Sequence, residues 1–184
     1  MRDPDVVAGG AAISPEHLSA LRLIYERLGE ASFLWVVTGS LAFALRGMDV
    51  VVHDIDLQSD RAGAYEIERR LHEFIVDPVR FSSSETIRSH FGALSMHGVK
   101  VEVMGDIEKL TAGSRWAPPA DLAQSREWVR AQGMSIPVLS LEHECHAYRM
   151  LGRTQRADML EQWMEREPHG HAEQAVRADK PRPR

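Results

Sequence analysis

Residues 33–57 read FLWVVTGSLAFALRGMDVVVHDIDL, and the two ends of this stretch decide the fold. Phe33-Leu34-Trp35-Val36-Val37 is a short apolar run ending at Thr38-Gly39-Ser40, the pattern of a buried strand that meets a turn. Ser40 suits the cap of a short helix over Leu41 to Arg46, which Gly47 stops. Val50-Val51-Val52 is strongly β-branched and leads into Asp54-Ile55-Asp56-Leu57, where polar and apolar residues alternate with period two. On a strand, both aspartates project from one face, about 7 Å apart at their Cα atoms.

Two hard carboxylates at that spacing can share or bracket divalent cations, and Mg²⁺ completes its shell with water and phosphate oxygens. Gly39 permits close backbone approach, and the amides and dipole of a helix start favour a phosphate. A phosphate cradle beside a carboxylate pair points to a nucleoside triphosphate (NTP) bound through metal. A third acid is available in Val99-Lys100-Val101-Glu102-Val103, where the valines take one face and leave Lys100 and Glu102 on the other. If this strand lies beside the Asp54 strand with that face outward, Glu102 joins the two aspartates. Lys100 then comes close enough to touch a phosphate or neutralise the acids. A lone Asp-x-Asp strand is more often a solvated face. The Gly-Ser turn and the third acid on a later hairpin shift the balance toward chemistry.

Working outward, Ser14-Pro15-Glu16 reads as a helix start, and Leu18, Leu21, Ile24 and Leu28 repeat at helical spacing to about Glu30. Ala64, Ile67, Leu71 and Phe74 mark a helix over 62–74, and Ile75 to Phe81 is a strand that Pro78 places at a sheet edge. Phe91 to Met96 and Val99 to Met104 form a hairpin through His97-Gly98; Glu127 to Ala131 and Ser135 to Leu139 form another through Gln132-Gly133. Between them, 105–119 has no clear period and contains Pro118-Pro119, so it reads as a loop. Ser140 caps a helix to Leu151, and a last helix spans about Thr154 to Glu167. This order predicts an α+β chain: a mixed sheet with helices packed on one face, followed by C-terminal helices. The expected organisation is a flexible N-terminus over 1–13, one domain over 14–167 and a disordered tail over 168–184.

The 184 residues carry 22 Lys+Arg against 27 Asp+Glu, a formal charge of −5, which weighs against an extended nucleic-acid face. Cys145 is the only cysteine, so a disulfide framework or a Cys-based zinc site is not expected. No signal-peptide pattern opens the sequence, and no run approaches the ~18 apolar residues of a membrane span. A cytoplasmic protein is expected.

The motifs Thr38-Gly39-Ser40, His53-Asp54-Ile55-Asp56-Leu57 and Val101-Glu102-Val103 together resemble the nucleotidyltransferases of the DNA polymerase β superfamily. The likeness spans roughly residues 15–165. It is greatest to small stand-alone members akin to aminoglycoside and lincosamide nucleotidyltransferases and to the toxins of some toxin–antitoxin pairs. It implies that Asp54, Asp56 and Glu102 hold Mg²⁺ (two ions, with Mn²⁺ as a substitute) and form the catalytic acids. It also implies that Gly39 and Ser40 hold the distal phosphates of the nucleotide, which Lys100 and Arg153 are suited by their own charge to help bind. The implied reaction moves a nucleoside monophosphate (NMP) from an NTP to a hydroxyl of a small molecule, a tRNA or a protein. Two departures stand out. Val50 to Val52 fill a stretch where many relatives carry an arginine and a threonine, and the third acid is Glu rather than the commoner Asp. The alternative reading is an inactive nucleotidyltransferase-fold protein that binds or regulates, alone, as a homodimer or with a cognate partner. A metal-dependent phosphohydrolase is a weaker third.

Other candidates read as structural. His143 and His146 are three apart on one helix but have no third ligand at metal spacing. Arg149, Arg153 and Arg156 crowd a helix end, where Arg153 is equally suited to carbonyls or to phosphates. Met159, Leu160, Trp163 and Met164 form a core stripe, and Asp106 and Glu108 read as solvated.

Overall fold

The computed structural model describes residues 13–29, 31–111 and 113–166. The expected flexible N-terminus, apart from Ile13, and the expected tail lie outside the described residues. Helix α1 (Pro15–Leu28) starts with Pro15 in its first turn, and the Ser14 hydroxyl accepts the His17 amide. Strand β1 (Trp35–Thr38), helix α2 (Gly39–Leu45), strand β2 (Asp54–Ser59) and helix α3 (Arg61–Arg70) follow. A 3-10 turn at His72–Phe74 leads into β3 (Ile75–Ser83), β4 (Ile87–Met96) and β5 (Val99–Lys109). The short helix α4 (Leu122–Ser125), strands β6 (Arg126–Ala131) and β7 (Met134–Leu139), and helices α5 (Leu141–Met150) and α6 (Thr154–Arg166) complete the chain.

The strands form one mixed sheet in the order β3-β4-β5-β2-β1-β7-β6. The pairs β2–β5 and β1–β7 are parallel, and the other four pairs are antiparallel. Both predicted hairpin turns form with two consecutive positive φ angles, 53° and 80° at His97-Gly98 and 51° and 73° at Gln132-Gly133. That geometry matches the twist of the flanking strands. The Pro78 strand is an edge strand, as expected. Alternation sends Val37, Ile55, Leu57, Val101 and Val103 into a core completed by Ala20, Leu21, Ile24 and Leu28 of α1 and Ala64 and Ile67 of α3. Leu160 of the α6 stripe is fully buried, with Met159, Trp163 and Met164 packed against the same core. On the opposite face, Val36, Leu139 and Leu122 of α4 form a smaller cluster. Among the described residues no helix is long and apolar enough to cross a membrane.

Four local expectations are corrected. The valine run is not strand: β2 begins only at Asp54, and Val51 is exposed. Helix α2 begins at Gly39 rather than beyond Ser40, because Gly39 turns the chain with φ 69° straight from an extended Thr38. Strand β5 runs on to Lys109, through the first third of the segment that reads as a loop. Its register against β4 slips by one residue between His90↔Gly105 and Arg88↔Glu108, and Asp106 has φ 47°, so a bulge hides the alternation. Helix α3 ends at Arg70, four residues before Phe74.

Candidate functional site

The register of β2 builds the site. Asp54 lies opposite Lys100 and Asp56 opposite Glu102 across the parallel pair, while Asp56 lies opposite Thr38 across the antiparallel one. Ile55, Leu57, Val101 and Val103 hold the other face of these strands in the core, so the polar residues between them share the open face. Carboxylate oxygens of Asp54, Asp56 and Glu102 come within 4.8 Å of one another. The condition set on the Val99–Val103 strand is thus met: it lies beside the Asp54 strand, and its acid joins the pair.

The cluster is short of positive charge. Lys100 ion-pairs with Glu102, which holds the ammonium above the usual lysine range. The Asp56 carboxyl is pushed up to about 7, first by burial and then by the charges of Asp54, Glu102 and Glu144; Lys100 offsets only part of this. Three convergent, partly buried carboxylates with one balancing ammonium are the donor set that a hard divalent cation fits.

Behind the aspartates, Gly39 is pinned from two sides. A Cβ there would meet Asp56 Oδ2 at 2.6 Å, so the missing side chain is the space that Asp56 occupies. Its N–H donates to Glu144 Oε1 at 2.8 Å, and the Thr38 hydroxyl donates to the same oxygen. The Gly39 amide is therefore not free for a ligand. Ser40 sits next to it, half-buried in the first turn of α2. Glu144 is buried, and its carboxyl is held above the ordinary range by desolvation, which the bonds from Thr38 and Gly39 and the charges of Arg46 and Lys109 counter. Sequence reasoning missed this residue. The signal was there: Glu144 falls with Leu141, Cys145 and Tyr148 on the buried face of α5, where a lone acid needs buried partners.

Further supports follow from α2 and α5. The Arg46 guanidinium is almost fully buried and reaches Glu127 at 2.7 Å and the Leu139 carbonyl at 2.8 Å, clamping α2 to β6 and β7. Tyr148 meets Phe43 edge-on at 6.3 Å, and Arg156 lies over the Tyr148 ring at 5.6 Å. Burial raises the Tyr148 hydroxyl, with Glu144 and then Asp56 adding to the shift. Arg149 is committed elsewhere, to Asp158 and Glu161 of α6. Arg153 is exposed at the turn between α5 and α6, and among the described residues no hydrogen bond or ion pair joins its side chain to the acids. Glu108 pairs with Arg88, and Cys145 is a buried free thiol.

A sequence profile of the aminoglycoside-2''-adenylyltransferase family matches residues 20–163. Among solved structures, the chain is similar to TM1012 of Thermotoga maritima, provisionally described as a nucleotidyltransferase. The two share 53% sequence identity with a TM-score of 0.74, over 84% of this chain and 96% of that one. It also resembles ANT(2'')-Ia, solved in complex with adenylyl-2''-tobramycin, with a TM-score of 0.52 and 11% identity over 82% of this chain and 91% of that one. The second likeness is one of fold. No curated protein sequence matches the chain.

Proposed function

Because the chain belongs to the aminoglycoside-2''-adenylyltransferase family of nucleotidyltransferases, we propose that it transfers an NMP from an NTP to a hydroxyl acceptor. The observation that carries this reading is the convergence of Asp54, Asp56 and Glu102 beside the Gly39-Ser40 turn. Asp54, Asp56 and Glu102 would hold divalent metal, Mg²⁺ above all, which supplies charge neutralisation at the phosphates and at the attacking oxygen. Ser40 contributes its hydroxyl and amide to the distal phosphates. Gly39 serves by lacking a side chain, since its own amide is committed to Glu144. Lys100 and Arg153 supply positive charge to the β- and γ-phosphates.

In the transfer, the acceptor oxygen forms a bond to the α-phosphorus, the bond from that phosphorus to the β-phosphate oxygen breaks, and pyrophosphate leaves. Glu102, half-buried like the two aspartates, takes the acceptor proton in this reading. The test is incubation with α-labelled NTPs, Mg²⁺ and a panel of hydroxyl acceptors, reading label transfer together with pyrophosphate. Transfer that disappears in Asp54→Asn supports the reading. Absence of transfer to every acceptor, or transfer unaffected by Asp54→Asn, sinks it.

A further inference from the structure

A cavity of about 260 Å³ lies between the far end of β5, the 117–121 segment and α5. Its polar lining is Lys109, Asp121, Ser125, His143 and His146, with Pro118 among the apolar walls. The balance of charge is unusual for a protein that is acidic overall. Three nitrogen groups that carry or can accept a proton face one small space. Among the described residues the only acid on the lining is Asp121, whose carboxylate accepts the Ala123 amide at 3.0 Å and the Gln124 side-chain amide at 2.8 Å. The acid that acts on Lys109 is Glu144, whose carboxylate is turned to Thr38 and Gly39. His143 has only a long contact from Nδ1 to the Ser125 hydroxyl, 3.4 Å.

We infer that this cavity is an oxyanion subsite in which Lys109, His143 and His146 hold a phosphate or carboxylate group of a small ligand. A partly buried ammonium beside two imidazoles, with no ion-paired carboxylate among the described residues, is an incomplete electrostatic arrangement. An oxyanion completes it, by accepting charge-assisted hydrogen bonds from Lys109 and from whichever imidazole nitrogens are protonated. Two shifts agree with this. Burial lowers the Lys109 ammonium, and His143 is lowered by burial, then by Lys109 and by His146. The volume has room for more than a bare ion, and Pro118 and Met150 offer apolar contact to what the anionic group is attached to.

The subsite sits between the strand that carries Glu102 and the helix that carries Glu144.

The subsite itself is tested without turnover. The full chain in metal-free buffer is titrated with inorganic phosphate and, in a parallel arm, with acetate, while the ring nitrogen resonances of His143 and His146 are followed by NMR. Both rings are expected to shift together and saturably, and the stronger arm tells phosphoryl from carboxylate. Lys109→Met should weaken binding about tenfold or more, and Lys109→Arg should restore most of it. Asp54→Asn/Asp56→Asn should leave binding unchanged, so a failed transfer reaction does not touch this result. No saturable shift with either anion, or an affinity indifferent to Lys109→Met, overturns the inference.

Discussion

The carboxylate of Glu144, one turn into α5, accepts the backbone N–H of Gly39 at 2.8 Å and so fastens the C-terminal helices to the turn beneath the acidic cluster. Glu144→Ala would strand that amide and the Thr38 hydroxyl, at a cost of about 1–3 kcal/mol for each buried group. Glu144→Gln keeps an acceptor and removes a buried charge. Because the folded-state pKa of Glu144 is raised, the native state binds its proton more readily than the unfolded chain. Its contribution is then most favourable below the ordinary carboxylate value and is lost as pH rises through the folded one. We expect Glu144→Gln to gain stability over the parent at about pH 8 relative to about pH 5. Denaturant midpoints at the two pH values check this.

Gly39→Ala should disable the site while leaving the fold in place. The added Cβ is strained at φ 69° and meets Asp56 Oδ2 at 2.6 Å. A non-glycine residue in this region costs about 1–2 kcal/mol, and the displaced Asp56 no longer faces Glu102. Melting with and without Mg²⁺ should show a modest loss of stability and a larger loss of the metal-dependent increment.

Asp56→Asn is expected to raise the melting temperature in metal-free buffer, since it removes a carboxylate that burial and its acidic neighbours disfavour. In the parent, Mg²⁺ or Mn²⁺ at a hundredfold excess over its Kd should stabilise by about 2.7 kcal/mol. That increment should vanish in Asp54→Asn/Asp56→Asn. Calorimetric scans over a metal series separate the two effects.

Arg46→Ala should cost about 1–3 kcal/mol, because its buried guanidinium bridges the half-exposed Glu127 and the Leu139 carbonyl and its loss removes both bonds. Equilibrium unfolding gives the number, and Glu127→Gln, which leaves a neutral acceptor, should lose less.

The alternation in Asp54-Ile55-Asp56-Leu57 and Val99 to Val103 made the central strands and the meeting of the three acids legible, because period-two patterning reports which face is buried wherever one face is. The valine run misleads for a reason that only register supplies. With Asp54 opposite Lys100, Val52 would fall opposite Gly98 in the hairpin turn. With Asp56 opposite Thr38, Asp54 would face Ser40, where the chain has already entered α2. Residues 50–52 have β propensity and no neighbour to pair with on either side. Glu144 escaped because a buried acid announces itself through partners distant in sequence, here more than a hundred residues away.

The strand order also sets a sequence of assembly. The β4–β5 and β6–β7 hairpins close through two-residue turns, so each can form from its own segment at little entropic cost. The β2–β5 and β1–β7 pairs join strands that are not consecutive in the chain, and longer loops must close before any contact rewards them. The three acids stand on β2 and β5, across one of these late seams. Their mutual repulsion therefore opposes the closing of this one seam and leaves the two hairpins untouched.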